Sequence, residues 1–458
     1  MMPDTGVNRM RARGMRVRAR YSWARLKVSF WFAPAVMSVV GVLLAWAMYW
    51  IDVNLPPLLP PDSHLVLSGS VDTLRSSLIS MASTTLATAG IVFTLLTLPL
   101  STVAAQYGSR LLRVFLGDRT TQFVLGIFAG TFMYGIAGAL AIAPVEQQPD
   151  PPQLTATVGL YLLIATFASL ILLVQHISTM LQAPNIAAAA GAELMEVVFA
   201  EFPDVVKTGD DTNQTSQGAL DDLKETEGYR VRVEKTGYIQ YIDPESMLAV
   251  ASEKDLVVRL LHKPGDFVWR GTAVALVWPA ARAAGQPEEQ ICRSFQVGHQ
   301  RTPTQDVEYA VNQLVEMAVR AMSPAINDPF TAMTCLEYIG DGLALFLRLA
   351  DQSPYFYGQK GRLRLVYERV TFNELLSAAF DMLRHCSSSN ASVLLCMLDV
   401  IGAIGQEAKR PEERQALRWH VSLVQAEGQA GALVEQDRQL IHLRGQALQA
   451  KLEGDCES

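Results

Sequence analysis

VGLYLLIATFASLILLVQHISTML, Val158–Leu181, is the stretch that decides the fold. It carries no Asp, Glu, Lys or Arg. At about 1.5 Å of rise per residue a helix of this length crosses the roughly 30 Å hydrocarbon core of a bilayer. The run lacks the two-residue alternation of a barrel strand, and only a helix satisfies every backbone group in lipid from within a single segment. Three further runs share these properties: Phe30–Trp50, Leu78–Leu98 and Phe123–Ile142. The expected fold is therefore an α-helical membrane protein with four transmembrane helices. The first run is too long for the apolar region of a signal peptide, and no small-x-small site precedes Asp52.

Basic residues give these spans a direction. Arg9, Arg11, Arg13, Arg16, Arg18, Arg20, Arg25 and Lys27 precede the first run, and Arg110, Arg113 and Arg119 lie between the second and third. The other two connections, Asp52–Asp72 and Ala143–Gln153, contain neither Lys nor Arg between their first and last residues. Cytoplasmic loops carry the excess of Lys and Arg, so both termini are expected in the cytoplasm. The N-terminal arginines suit anionic lipid headgroups. A net charge of -7 over 458 residues argues against a nucleic-acid partner, which wants a basic surface. The five cysteines include no CxxC pair and read as reduced thiols.

The second run has an unusual polar side. Ser76, Ser80, Ser83, Thr84, Thr94 and Ser101 gather on one face, with Leu78, Leu86, Phe93 and Leu96 assigned to the other. Such a stripe packs helices closely or faces a wet path. Pro99 is expected to bend the helix. In the third run Gly126, Gly130, Tyr134 and Gly138 recur every fourth residue, a helix-packing face. His176 is the one Asp, Glu, Lys, Arg or His side chain inside the four runs. Coupled transporters usually place carboxylates at depth, so that class is disfavoured. Tyr107–Leu116 reads as an amphipathic, lipid-anchoring elbow.

Five regions follow: a basic arm (1–29), the membrane domain (30–184), a helix and polar linker (185–228), a small β unit (229–280) and a cytoplasmic helical domain (281–458). Together the last two make an α+β domain. Strands are expected at Arg230–Glu234, Gly237–Ile242 and Leu256–Leu261, with a turn at Pro264–Gly271 leading into Ala273–Val277. This stretch resembles the half-barrel of lipoyl, biotinyl and barrel-sandwich hybrid domains, in which a Gly-Asp-x-Val-x-x-Gly turn recurs. The modified lysine of those carriers has no equivalent in Trp278-Pro279-Ala280-Ala281-Arg282, so no cofactor is expected. Beyond Arg301, Thr302-Pro303-Thr304-Gln305 reads as a capping box and Asp328-Pro329 as a second helix start. Later helices are expected near 331–349, 371–384, 392–407, 412–425 and 433–452.

Gln106-Tyr107-Gly108-Ser109-Arg110-Leu111-Leu112, Gly237-Tyr238-Ile239-Gln240, Pro264-Gly265-Asp266, and Gln305-Asp306 with Ser323-Pro324-Ala325-Ile326-Asn327-Asp328-Pro329 together resemble the bacterial predicted-membrane-protein family called domain of unknown function 2254. The resemblance covers nearly the whole chain after the basic arm. It implies a bacterial inner-membrane location and assigns no catalytic residue.

Asp306, Glu308, Asn312, Asn327 and Asp328 are the candidates for a polar ligand site. Their alternative reading is a solvated stripe with i,i+4 pairing and helix caps. No P-loop, GxGxxG, HExxH, GxSxG or His/Cys metal spacing occurs. The expectation is a homo-oligomeric, channel-like or passive transport protein without enzymatic activity. A membrane-anchored scaffold or ligand sensor is the alternative, and a membrane enzyme ranks third.

Overall fold

A computed structural model describes residues 31–55, 66–106, 118–142, 151–202, 225–349, 353–358, 361–431 and 433–454. The basic arm, the elbow at 107–116 and most of the polar linker lie outside the described residues. Contacts divide the described residues into two compact units, one from residue 31 to Ile186 and one from Ala187 onward.

The first unit is a helical bundle: α1 (Phe32–Asn54), α2 (Val71–Gln106), α3 (Arg119–Ile142) and α4 (Gln153–Met180). α2 starts seven residues before the apolar run expected to form it, because a polar first turn precedes the lipid-compatible part. Ser76 and Ser77 donate to the Thr73 carbonyl at 2.9 and 2.8 Å, which fits their hydroxyls into helical backbone. Helix continues through Pro99 to Gln106. The interior is largely apolar, with Ala45, Leu78, Tyr134, Ala137 and Ile142 in one cluster and Val92, Leu96, Val124, Phe128 and Leu173 in another, and it also buries Thr131 and Thr166, whose hydroxyls bond each other at 2.9 Å. Leu43, Trp46, Trp50, Phe93, Leu140, Phe167 and Leu172 point outward, each more than half exposed. An outer surface this apolar is suited to lipid rather than water.

The second unit begins with α5 (Ala183–Glu201), whose last fifteen residues belong to it. Its strands are β1 (Tyr229–Arg232), β2 (Gly237–Ile242), β3 (Val257–Leu260), β4 (Phe267–Val268), β5 (Ala273–Trp278), β6 (Phe295–Gly298), β7 (Tyr355–Tyr357) and β8 (Leu363–Val366). They form a five-stranded sheet in the order β1-β5-β3-β8-β7 and a three-stranded sheet in the order β4-β2-β6. Val231, Ile239, Val258, Val268, Val274 and Leu365 fill the core between them. β3 and β8 run parallel, with Val258 opposite Leu365 and Arg259 opposite Val366. After β5 the chain makes a short 3-10 turn at Ala280–Arg282 and enters α7 (Gln286–Arg293). A carrier domain would instead return as a hairpin strand. α6 (Pro244–Glu253) bridges β2 and β3.

The helices α8 (Val307–Ala321), α9 (Pro329–Leu349), α10 (Phe372–Cys386), α11 (Ala391–Gly405), α12 (Pro411–Ala430) and α13 (Glu435–Gly454) complete the unit. Val307, Ala310, Val311, Leu314, Val315 and Ala318 are all buried on α8, as a 3.6-residue apolar stripe requires. The expected capping box at Thr302–Gln305 is not formed. Asp306 is the N-cap, accepting from the Tyr309 amide at 2.9 Å. Gln305 instead reaches back to β2, where its amide bonds both backbone groups of Ile242. A tertiary partner displaces the local one.

Among the described residues five helices are long and apolar enough to cross a membrane, one more than the four expected. The fifth is α9, which reads as apolar because its C-terminal part is buried on every side: Gly342, Leu343, Ala344, Leu345, Phe346 and Leu347 are all buried.

Candidate functional site

In the bundle, the small residues of α3 mark close approaches. A Cβ at Gly126 or Gly130 would strike Met37 of α1, and one at Gly41 of α1 would overlap the Gly130 carbonyl. Gly138 meets Leu78 of α2 and Thr155 of α4. Tyr134 is fully buried and donates to the Thr155 carbonyl at 2.7 Å. This face packs the helices within one protomer.

The polar stripe of α2 lies elsewhere. Leu74, Leu78, Ala82, Thr85, Val92 and Leu96 form the buried side, whereas Ser76, Ser80, Ser83, Thr84, Thr94 and Ser101 are exposed on the outside of the bundle. Leu86 and Phe93, assigned by sequence to the apolar side, are also exposed. Thr84, Thr88 and Thr94 donate to carbonyls four residues back, at 2.8, 2.8 and 3.1 Å. Their hydrogen-bonding demand is met without water, so the stripe can face lipid, another helix or a wet path. Nothing lies within 4 Å of where a Cβ on Gly90 would be, so the middle of this face is open.

In the second unit a cleft of about 620 Å³ opens where the parallel strands β3 and β8 end. Ligands of α/β sheets collect at the carboxyl ends of parallel strands, because loops leave both strands on the same side. One wall is His262-Lys263 with Asp266, and the other is Tyr367-Glu368-Arg369 running into α10. Phe202, Phe346 and Phe372 make the floor, and Arg410 and Glu413 at the start of α12 stand on the rim. Several of its charges are paired, Lys263 and Glu374 across the cleft. Lys263 meets Glu374 at 2.6 Å, His262 meets Asp266 at 3.1 Å, and Arg259 meets Glu368 at 3.3 Å.

Behind this wall Glu201, 6% exposed, accepts from the Tyr367 hydroxyl at 3.1 Å and pairs with Arg369 at 3.2 Å. Arg369 lies among the rings of Phe202, Phe356 and Tyr367, at 5.2, 5.6 and 5.5 Å from their centres. Burial pushes the Glu201 carboxyl up to about 7 despite the opposing pull of Arg369. Asp306 borders the same small recess as Glu201 and Lys263. Arg301 grips Asp306 through two bonds of 2.6 and 2.7 Å. Burial still raises the Asp306 carboxyl above its ordinary value.

The five sequence candidates therefore separate. Asp306, Glu308 and Asn312 come together: Arg301 reaches Glu308 at 3.4 Å, and Asn312 donates to Glu308 at 3.3 Å. Asn327 and Asp328 sit past the opposite end of α8, which at about 1.5 Å per residue is roughly 20 Å away. Asp328 there caps α9, accepting from the Thr331 amide and hydroxyl at 3.1 and 2.5 Å. It is a helix cap, not part of a shared site. Sequence reasoning passed over Glu201, Lys263, Tyr367 and Arg369, which carry no motif and come from α5, the end of β3 and the end of β8. Among the described residues no group of three or more His, Cys, Asp or Glu side chains could hold a metal ion.

The sequence profile of a family described as predicted membrane protein (DUF2254) matches residues 27–403. This chain belongs to that family. Uncharacterised proteins of Mycobacterium tuberculosis and Mycobacterium bovis are each 26% identical to it over 424 residues, covering 91% of this chain and 79% of theirs. No solved structure matches the chain. As a DUF2254 member with several long apolar helices and an apolar outer surface, it has the features of a multi-pass membrane protein.

Proposed function

We propose that this DUF2254 protein is an oligomeric, channel-like or passive transport protein of a bacterial inner membrane. In this reading α1–α4 span the bilayer and both termini are cytoplasmic. α9 stays in the cytoplasmic domain, since Glu337, Asp341 and Arg348 on it would be costly in lipid. The β unit is then a barrel-sandwich-like assembly platform without a prosthetic group.

One observation carries the transport reading: the Ser/Thr face of α2 points out of the bundle, while buried hydroxyls inside it, such as Thr131, Thr166 and Ser169, are bonded to one another or to helix carbonyls. In this reading the path forms between the α2 helices of neighbouring copies, where the exposed hydroxyls of the stripe face one another. Liposomes reconstituted with the full chain test this by solute and ion flux. Ser80→Leu and Thr84→Leu are expected to reduce flux while leaving the fold intact, because both side chains are exposed. Unchanged flux in both variants removes the pore assignment. The cleft at β3 and β8 favours a second reading, a membrane-anchored ligand sensor. Flux-silent liposomes containing protein whose thermal midpoint responds to small polar ligands would support that reading instead.

A further inference from the structure

One end of the β unit is built from two turns stitched together. The turn between β1 and β2 (233–236) and the turn between β4 and β5 (269–272) exchange three hydrogen bonds, and Arg232 at the end of β1 adds a fourth. The Val233 amide donates to the Thr272 carbonyl at 3.1 Å, and the Gly271 amide returns to the Val233 carbonyl at 2.8 Å. The Arg270 amide donates to the Thr236 hydroxyl at 3.0 Å, and Arg232 donates to the Gly271 carbonyl at 2.5 Å. Gly271 takes a φ of +88°, which suits a residue without a Cβ. The backbone of this end is thus fixed from both sides.

Three aromatic rings stand on it in a ladder. Tyr238 meets Phe267 edge to face at 5.0 Å, and Phe267 meets Trp269 edge to face at 5.6 Å. Trp269 is 66% exposed and Phe267 41% exposed. A fixed turn that spends a tryptophan and a phenylalanine on an exposed face has an unmet apolar surface. Exposed Arg232, Lys235 and Arg270 border it, with Arg230 further along β1, against a single acid of the same turns, Glu234. Aromatic rings with one wet edge, fringed by cations, match the chemistry of a headgroup layer over an anionic bilayer surface.

We propose that this end of the β unit is an interfacial anchor: Trp269 and Phe267 enter the headgroup region of an anionic membrane, and Arg232, Lys235 and Arg270 engage its phosphates. The contact goes beyond the membrane-spanning helices. It stands whether or not the protein conducts.

The experiment uses the full chain in nanodiscs of zwitterionic lipid with and without anionic phosphatidylglycerol. The emission spectrum of the Trp269→Phe variant is subtracted from that of the wild type, which isolates Trp269. Trp269→Tyr provides the same subtraction if the first variant fails to assemble. In anionic discs the difference spectrum should be blue-shifted, strongly quenched by lipid carrying a nitroxide near the headgroup, and resistant to aqueous acrylamide. The lipid quenching should fall severalfold in purely zwitterionic discs, and likewise in anionic discs for the Lys235→Gln/Arg270→Gln double variant. Quenching by acrylamide without quenching by lipid overturns the anchor. So does protection from both quenchers, which would mean that a second copy or another protein covers the ladder. Lipid quenching that ignores lipid charge overturns the phosphate contacts.

Discussion

Asp52, at the end of α1, caps α4: its carboxylate accepts the Thr155 amide at 2.7 Å and the Thr155 hydroxyl at 2.6 Å, and the Leu154 amide at 3.0 Å. A residue 103 positions away thus supplies what a local N-cap side chain would, since Pro152 at the helix start makes no side-chain cap. Helix N-termini leave backbone donors unmet, and a carboxylate also complements the positive end of the helix dipole. Tyr134 secures the same residue from below through the Thr155 carbonyl. Asp52→Ala is expected to cost about 1–2 kcal/mol, the upper range for losing a cap. The measurement is the thermal midpoint of the full chain in detergent. Asp52→Asn, which keeps an acceptor, should lose less.

Arg301 and Asp306 make a different kind of pair. Asp306 is 3% exposed and at once caps α8, holds the guanidinium and borders the recess shared with Glu201. Removing the cation leaves a buried carboxylate unpaired, which typically costs about 3–5 kcal/mol. Arg301→Ala should therefore destabilise the protein strongly in chemical denaturation. Arg301→Lys should recover only part of the loss, because an ammonium cannot supply the two-pronged contact. If Arg301→Ala leaves the denaturation midpoint of this transition unchanged, the pair is not structural.

Much of this was legible beforehand and some was not. Apolar runs located four long helices, because lipid compatibility is a property of local composition. The Asp328-Pro329 start of α9 was legible too, as an N-cap acts within one turn. Gln305 was misread because its sequence neighbours suit a capping box while its true partner, Ile242, lies 63 positions earlier. The cleft was invisible for the same reason. β8 pairs with β3 more than a hundred residues away, which brings Lys263 to Glu374, and Arg369 meets Glu201 on α5, farther still in sequence. The grouping of Asp306 with Asp328 failed because closeness in sequence was taken across the full length of a helix.

Glu201 gives the protein a defined pH response. Its carboxyl moves from an ordinary value of 4.5 in the unfolded chain to about 7 in the fold, chiefly through burial. The folded state therefore binds the proton more tightly than the unfolded state, so stability falls as pH rises from about 4.5 through about 7 and levels off above. The full effect is on the order of 3 kcal/mol. Urea unfolding of the wild type from pH 5 to pH 8 should show this decline, with Asp306, also raised by burial, adding in the same direction at lower pH. Glu201→Gln should flatten the decline. It stands in for the protonated carboxyl, which is already uncharged toward Arg369 near pH 5, so its stability should stay close to that of the wild type near pH 5 and exceed it near pH 8.

The two faces of the bundle should respond oppositely to added bulk. Gly130 is pressed against the backbone of α1, at Met37 and Gly41, and backbone cannot step aside as the end of a flexible side chain can. Gly130→Ala should cost about 1–3 kcal/mol, as overpacking does, and lower the thermal midpoint in detergent. Gly90, in the middle of the α2 stripe, has open space around it in the protomer. Gly90→Ala should therefore leave the protomer as stable or raise its stability by up to about 1 kcal/mol, the usual gain in helix propensity. Gly90→Leu adds a larger test. If α2 helices of neighbouring copies meet along this face, the leucine should shift the size distribution in mild detergent toward smaller species without lowering the midpoint. A size distribution and midpoint both identical to the wild type would place lipid, not a second protomer, against the stripe.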